Sequence, residues 1–185
     1  MRIKAKDKHS FRALTKTGYM RREHFKSLKV NNARIKQYEK EGYIKKEVQK
    51  GQEAFKLTSE GHKFAKELGI ENHYHTQSFN HDIAIADKYF ELTYAERETF
   101  KNETEIRLEL EQKIEELKEI DIDRAYELEQ KLTDKTISCV DCVYTTREGV
   151  VTGYEVTTAN YTQEQIEAKI EFCEVMQIEY VQEDR

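Results

Sequence analysis

Residues 31–60 read NNARIKQYEKEGYIKKEVQKGQEAFKLTSE, and the turn chemistry in this stretch sets the fold class. Asn31 or Asn32 offers a side-chain acceptor to the free N–H groups of a helix start, so a helix is expected over NARIKQYEKEGYI. Ile35 and Tyr38 stand three apart and share its buried face, while Arg34, Lys36, Gln37 and Lys40 spread around the exposed side. Gly42 suits the helix end. IKKEVQ and EAFKLT then form a basic two-stranded ribbon that turns at Lys50-Gly51, and Ser59 opens a further helix, SEGHKFAKELG. A helix and a hairpin so close in sequence point to an α+β protein.

Working back from this stretch, FRALTKTGYM predicts a first helix ending at Gly18. RREHFKSLKV predicts a second, with Phe25 and Leu28 facing inward and Val30 closing the turn. Helix, helix, helix, ribbon, helix is the order of a winged helix-turn-helix. Charge agrees with this order. Residues 1–70 hold 19 Lys and Arg against 8 Asp and Glu, a formal +11, whereas residues 71–185 hold 12 against 28, a formal −16. A basic module condenses onto a polyanion and an acidic one is repelled by it. The expected domains are therefore a DNA-binding domain over 1–70 and a dimerisation or partner-binding domain over 71–185. Duplex DNA is preferred over RNA because a B-form major groove admits a helix, and no aromatic platform for stacked single strands is evident.

The totals bound the rest. A chain of 185 residues suits one domain or two small ones. Proline is absent, and no Pro-rich or Gly/Ser-rich linker interrupts the chain. No apolar run approaches membrane-spanning length, and the opening MRIKAKDKHSF lacks the apolar stretch of a signal peptide. A cytoplasmic location without membrane association is expected. The three cysteines, Cys139, Cys142 and Cys173, fit reduced thiols.

The middle of the chain reads as helical. HDIAIADKYFEL, residues 81–92, carries an apolar set, and a further helix is expected from about Tyr94 towards Ile120. Ile106, Leu110, Ile114 and Leu117 form one apolar stripe; Ile122, Ala125, Leu128 and Leu132 continue a helical pattern after a bend near Asp121. This is either a hairpin packed within one subunit or a dimer seam. Paired half-sites give an independent motive for a homodimer. The His73-x-His75 pair lacks further ligands and is not read as a metal site.

The last third predicts a small α/β region. ISCVDCVY and TGYEVTT are strand candidates, TQEQIEAKIEFCEVM an amphipathic helix capped by Thr162, and IEYVQ a final strand. Asp141 and Glu155 would lie on adjacent strands. With Glu103 or Glu105 from the preceding helix they would supply hard oxygen ligands for Mg²⁺. Cys139-x2-Cys142 offers only half a zinc motif, and buried thiols are the expected reading.

These motifs carry two resemblances. LTKTGYMRREHFKSLKV, NNARIKQYEKEGYIKK and FKLTSEGHKFA resemble winged-helix modules at the front of plasmid- and phage-associated proteins. That resemblance implies base contacts by Asn32, Arg34, Lys36 and Gln37, and phosphate contacts by Lys45, Lys46, Lys50 and Lys56; Lys40 extends the same basic surface. NETEIRLE, CVDCVY and TGYEVTTANYTQEQIEAKIEFCE resemble the C-terminal region of the replication-relaxation family, and more broadly the PD-(D/E)xK nucleases. The resemblance implies a metal-binding triad of Glu105, Asp141 and Glu155, served by Mg²⁺ or Mn²⁺. Thr157 stands where those nucleases place lysine, and Lys169 on the following helix is the available substitute. Together these resemblances imply a sequence-specific regulator of a plasmid, phage or other mobile element, controlling transcription or replication. Its acidic region would dimerise or recruit a replication, transcription or transfer protein. The alternatives are a metal-dependent DNA nuclease and a protein-binding inhibitor.

Overall fold

A computed structural model describes residues 2–71, 74–158 and 161–184. The protein is α+β and forms two compact units, residues 1–93 and 94–185. The division falls after Thr93, not after residue 70, because the helix over residues 79–91 packs on the first unit. Counted over these units, the charge split becomes +8 and −13.

In the first unit, α1 (Ala5–Thr17) begins earlier than its apolar residues alone suggest. Asp7 fixes that start by accepting the backbone N–H of Lys4 at 2.7 Å. Gly18 ends the helix with φ +78°, and a Cβ there would lie 2.8 Å from Asp82 Oδ2, so both conformation and space call for glycine. The two-residue strand β1 (Tyr19–Met20) precedes α2 (Arg22–Ser27). Next comes α3 (Asn32–Lys40), capped by Asn31, whose side chain accepts the Arg34 N–H at 3.0 Å. The ribbon is β2 (Ile44–Gln49) and β3 (Gln52–Leu57), antiparallel from Ile44↔Leu57 to Gln49↔Gln52. Lys50 and Gly51 both take positive φ, as a tight two-residue hairpin turn requires. Strand β1 adds to β3, giving the order β1-β3-β2.

The first unit is completed by α4 (Ser59–Glu67), capped by Thr58, and α5 (Phe79–Glu91). Phe11, Phe25, Ile35, Tyr38 and Phe55 are fully buried in its core. Phe11 meets Tyr38 and Phe64 edge-on, at centroid separations of 5.2 and 5.0 Å. Helix α5 is tied to α2 by His24, which stacks on Phe90 and places Nε2 3.0 Å from Asp87 Oδ1. His73 lies outside the described residues.

In the second unit, the helix expected from Tyr94 to Ile120 is interrupted. It comprises α6 (Tyr94–Glu98), the short strand β4 (Lys101–Asn102) and α7 (Glu103–Lys118). Asn102 forces the restart: its side chain accepts the Glu105 N–H at 3.0 Å, and Glu105 Oε2 accepts the Asn102 N–H at 2.9 Å. Helix α8 (Ile122–Thr133) folds back on α7. Ile106, Leu110 and Ile114 pack with Ala125, Leu128, Ile137, Val140 and Phe172 in one core, and Leu117 packs against it. The apolar stripe is thus used within the subunit.

Strand β5 (Cys142–Thr145) is shorter than the ISCVDCVY expectation, for Ile137, Cys139, Val140 and Asp141 are buried without being strand. It is followed by β6 (Val151–Thr157), α9 (Gln163–Met176) and β7 (Glu179–Asp184). The sheet order is β4-β5-β6-β7, with β6 and β7 parallel and joined across α9. All three cysteines are buried, free thiols. Cys139 precedes β5 while Cys142 opens it, so simple strand alternation does not relate them. Among the described residues, no helix is long and apolar enough to cross a membrane.

Candidate functional site

In the first unit the nine residues expected to touch DNA separate into two sets. Asn32, Lys36 and Lys40 are exposed on α3, and Lys45, Lys46 and Lys50 are exposed on the hairpin. Among the described residues, Lys36, Lys40 and Lys50 make no ion pair. Lys45 and Lys46 lie 3.4 Å from Glu47 and 3.1 Å from Glu53, contacts of exposed lysines with half-buried carboxylates that water and salt weaken. Asn32 Oδ1 accepts a hydrogen bond from Arg22 Nη1 at 3.0 Å, leaving its amide N–H₂ outward-capable.

Arg34, Gln37 and Lys56 are half-buried and engaged in contacts within the unit. Arg34 donates through Nε to Asp7 Oδ1 at 2.9 Å, pairs with Asp7 Oδ2, and donates to the Gln37 side chain at 2.7 Å and the Arg2 carbonyl at 2.8 Å. Tyr38 also donates to Asp7, which has no exposed surface. Burial works against the Asp7 charge, but Arg34, Tyr38 and the Lys4 N–H outweigh it and hold the carboxyl below its ordinary value. Arg34 therefore clamps α3 to the start of the chain and of α1. Lys56 is bound 2.8 Å from Glu47 and donates to the Tyr19 hydroxyl at 2.9 Å. Burial opposes the Glu47 charge, yet Lys56 and Tyr19 hold its carboxyl down at about 2. Sequence reading missed Lys4 and Lys6, which border a cavity of about 240 Å³ beside Asn31, Ala33, Arg34 and Gln37.

In the second unit, Asp141 and Glu155 meet as expected, and Lys169 joins them. The Glu155 Oε2 accepts the Asp141 N–H at 3.0 Å, and Asp141 Oδ2 accepts the Val156 N–H at 2.8 Å. Glu155 Oε1 takes the Tyr161 hydroxyl at 2.7 Å and lies 3.1 Å from Lys169 Nζ, which also donates to the Cys139 carbonyl. Asp141, Glu155 and Lys169 are all buried. Burial, then the neighbouring Asp141, pushes the Glu155 carboxyl up to about 7, against the pull of Lys169 and Tyr161. Burial alone would discharge Lys169, but Glu155 and Asp141 raise its affinity for the proton above the ordinary value. The cluster opens on a cavity of about 510 Å³, bordered by Glu103, Arg107, Lys135, Ser138, Gln165 and Lys169. It holds a lysine ammonium against a carboxyl that titrates near neutrality, an arrangement able to exchange a proton with a bound group.

Glu105 is not part of this cavity's lining; its carboxylate caps α7, and Glu103 lines the cavity instead. Thr157 is buried and donates to Asp184. A divalent ion needs several available oxygen ligands. Here both Glu155 oxygens are engaged, an ammonium stands beside one of them, and Glu105 serves the helix cap. Among the described residues, no group of three His, Cys, Asp or Glu side chains is gathered to hold a metal. The expected Glu105–Asp141–Glu155 triad does not fit a metal in this arrangement. Burial pushes the Cys139 and Cys173 thiols up to about 12, so neither is a ready thiolate. Tyr161 had no sequence signal, since its role depends on a buried partner, Glu155, that only the folded chain supplies. No family model, curated protein or solved structure matches this chain.

Proposed function

We propose that this protein is a sequence-specific duplex-DNA-binding regulator whose first unit acts as a winged helix-turn-helix. One observation carries the reading: α3 and the β2–β3 hairpin expose Asn32, Lys36, Lys40, Lys45, Lys46 and Lys50, while the acids within the hairpin are already paired. Helix α3 would enter the major groove, with Asn32, Lys36 and Lys40 nearest the bases. The hairpin lysines would sit on phosphates and set register without reading sequence. Two copies would bind paired half-sites as a homodimer. Ile120, Ile122 and Tyr126, exposed around the turn from α7 to α8, supply apolar surface for such an association. The resemblance to plasmid and phage modules supports a role in transcription or replication of a mobile element, in which the acidic second unit would be the surface that meets protein.

A second reading is DNA cleavage by the second unit, favoured by the contact of Lys169 with Glu155, which supplies a lysine where Thr157 does not. One experiment separates the two. Duplexes bound by the full chain are selected from a random pool, binding is measured by fluorescence anisotropy, and the selected duplex is then incubated with Mg²⁺ or Mn²⁺. Specific binding without cleavage is the expected result. Lys36→Ala with Lys40→Ala should erase the preference for the selected duplex. Cleavage abolished by both Asp141→Asn and Glu155→Gln would establish the enzyme reading, and failure to select any duplex would overturn DNA binding.

A further inference from the structure

Resting on the duplex-DNA reading, we infer that residues 2–6 form a second line of phosphate contacts beside α3, held there by Arg34 as a positioning residue. Sequence reading placed the interface on α3 and the hairpin alone. Three contacts tie Arg2, Lys4 and the first turn of α1 to α3 and to the connection that precedes it. Arg34 Nη2 donates to the Arg2 carbonyl at 2.8 Å. Asp7, gripped by Arg34 and Tyr38, accepts the Lys4 N–H at 2.7 Å. Lys6 Nζ donates to the Lys29 carbonyl at 3.1 Å, in the connection between α2 and α3.

The result is a concave surface of about 240 Å³ where Lys4 and Lys6 face the first turns of α3. Charge favours an anionic partner. Asp7 is the single acid among residues 1–22, and its charge is answered by Arg34. Among the described residues the Lys4 ammonium makes no ion pair, and the Lys6 ammonium meets only a neutral carbonyl. Lysine presents a compact charge with three rotatable donors, which suits a phosphate more than the edge of a base. The chemistry therefore fits the sugar–phosphate backbone flanking the groove occupied by α3.

The surface also gives Arg34 a role distinct from base reading. Its planar guanidinium reaches Asp7, Gln37 and the Arg2 carbonyl together, which a lysine cannot do. Arg34→Lys keeps the charge yet releases the segment.

The test uses the full chain, the selected duplex and an unrelated duplex of equal length, with affinity followed from about 50 to 200 mM salt. Lys4→Ala with Lys6→Ala should weaken binding to both duplexes alike. Each lost phosphate contact lowers the salt slope by about 0.9, so this variant should lose roughly twelve-fold less affinity than the wild type across that fourfold salt range. Arg34→Lys should lower the slope in the same direction, and adding it to the double variant should change the slope little further. A merely stabilising role for Arg34 would lower the melting temperature and leave the slope of the folded protein unchanged. A wild-type slope in the Lys4/Lys6 variant, from a protein whose Lys36/Lys40 variant has lost specificity, would overturn this inference and leave the DNA reading standing. Absence of duplex binding by the wild type would remove both.

Discussion

Removing the Asp7 carboxylate should destabilise the first unit more than any surface substitution in the same basic stretch. Asp7 has no exposed surface and accepts from Lys4 N, Arg34 and Tyr38, while the Arg34 side chain is 14% exposed. Asp7→Ala leaves a nearly buried guanidinium without its counter-ion, and breaking a buried pair from one side costs about 3–5 kcal/mol. The remaining exposure of Arg34 lets water recover part of that, so the lower end, about 3 kcal/mol, is expected. For a unit of this size that is a fall in melting temperature of roughly 12–24 °C.

The pH dependence follows the same pair. The folded carboxyl titrates below its ordinary 3.8, so in acid the unfolded chain binds the proton first. The contribution is present above the unfolded value and is lost as pH falls through the folded one. Urea denaturation of wild type and Asp7→Ala, monitored by circular dichroism and tyrosine fluorescence, should show a wide gap at neutral pH that narrows in acid. Asp7→Ala with Arg34→Met should be less damaging than Asp7→Ala alone, because no charge is then stranded. A neutral-pH loss below about 1 kcal/mol, or a gap that does not narrow in acid, would refute a buried, charge-paired Asp7.

Two further outcomes follow from close approach and from burial. Gly61→Ala places a Cβ 1.9 Å from the Tyr43 carbonyl oxygen, so the start of α4 must move off the hairpin at a cost of roughly 3 kcal/mol or more, read as a lowered denaturation midpoint. In the second unit, Glu155 titrates near 7 when folded against 4.5 when free, so the folded state holds the proton more tightly. Stability of that unit should fall as pH rises from about 4.5 to 7, by up to about 1.4 kcal/mol per pH unit, and Glu155→Gln should flatten the profile.

Most elements were legible because local chemistry announces them. Asn31 before an amphipathic run gave the start of α3, and Lys50-Gly51 between two strands gave the hairpin within a residue, although α3 ends at Lys40, four residues short of the expected stretch. The expected helix from Tyr94 to Ile120 hid a strand because its composition is helical throughout. Phe100 is buried and Lys101-Asn102 pair with β5, so contacts distant in sequence decided the break. The boundary at residue 70 followed charge, whereas the compact unit follows packing: α5 is acidic on balance yet buries Ile83, Ile85 and Ala86 against the basic module.

Site residues were legible to the extent that their partners were local. Asn102-Glu-Thr-Glu105 has the spacing of a capping box, which assigns Glu105 to the start of α7 and leaves Glu103, two positions earlier, to line the cavity. That pattern could have separated the two glutamates from sequence alone. Arg34 could not be separated from Lys36 in the same way. Both are cations on one helix, but their spacing turns Arg34 towards α1, where a buried Asp7 waits 27 residues earlier, while Lys36 faces outward. A charge count treats the two alike; only the tertiary partner distinguishes a clamp from a contact. The same reasoning applies to Lys169, whose value lies in the 3.1 Å approach to Glu155 on β6. Basic residues in this chain therefore divide by whether an acid has been buried opposite them. Lys4, Lys36, Lys40 and Lys50 are cations of the first unit without such an acid, and that unit also carries the net positive charge, a formal +8, that a polyanion would meet.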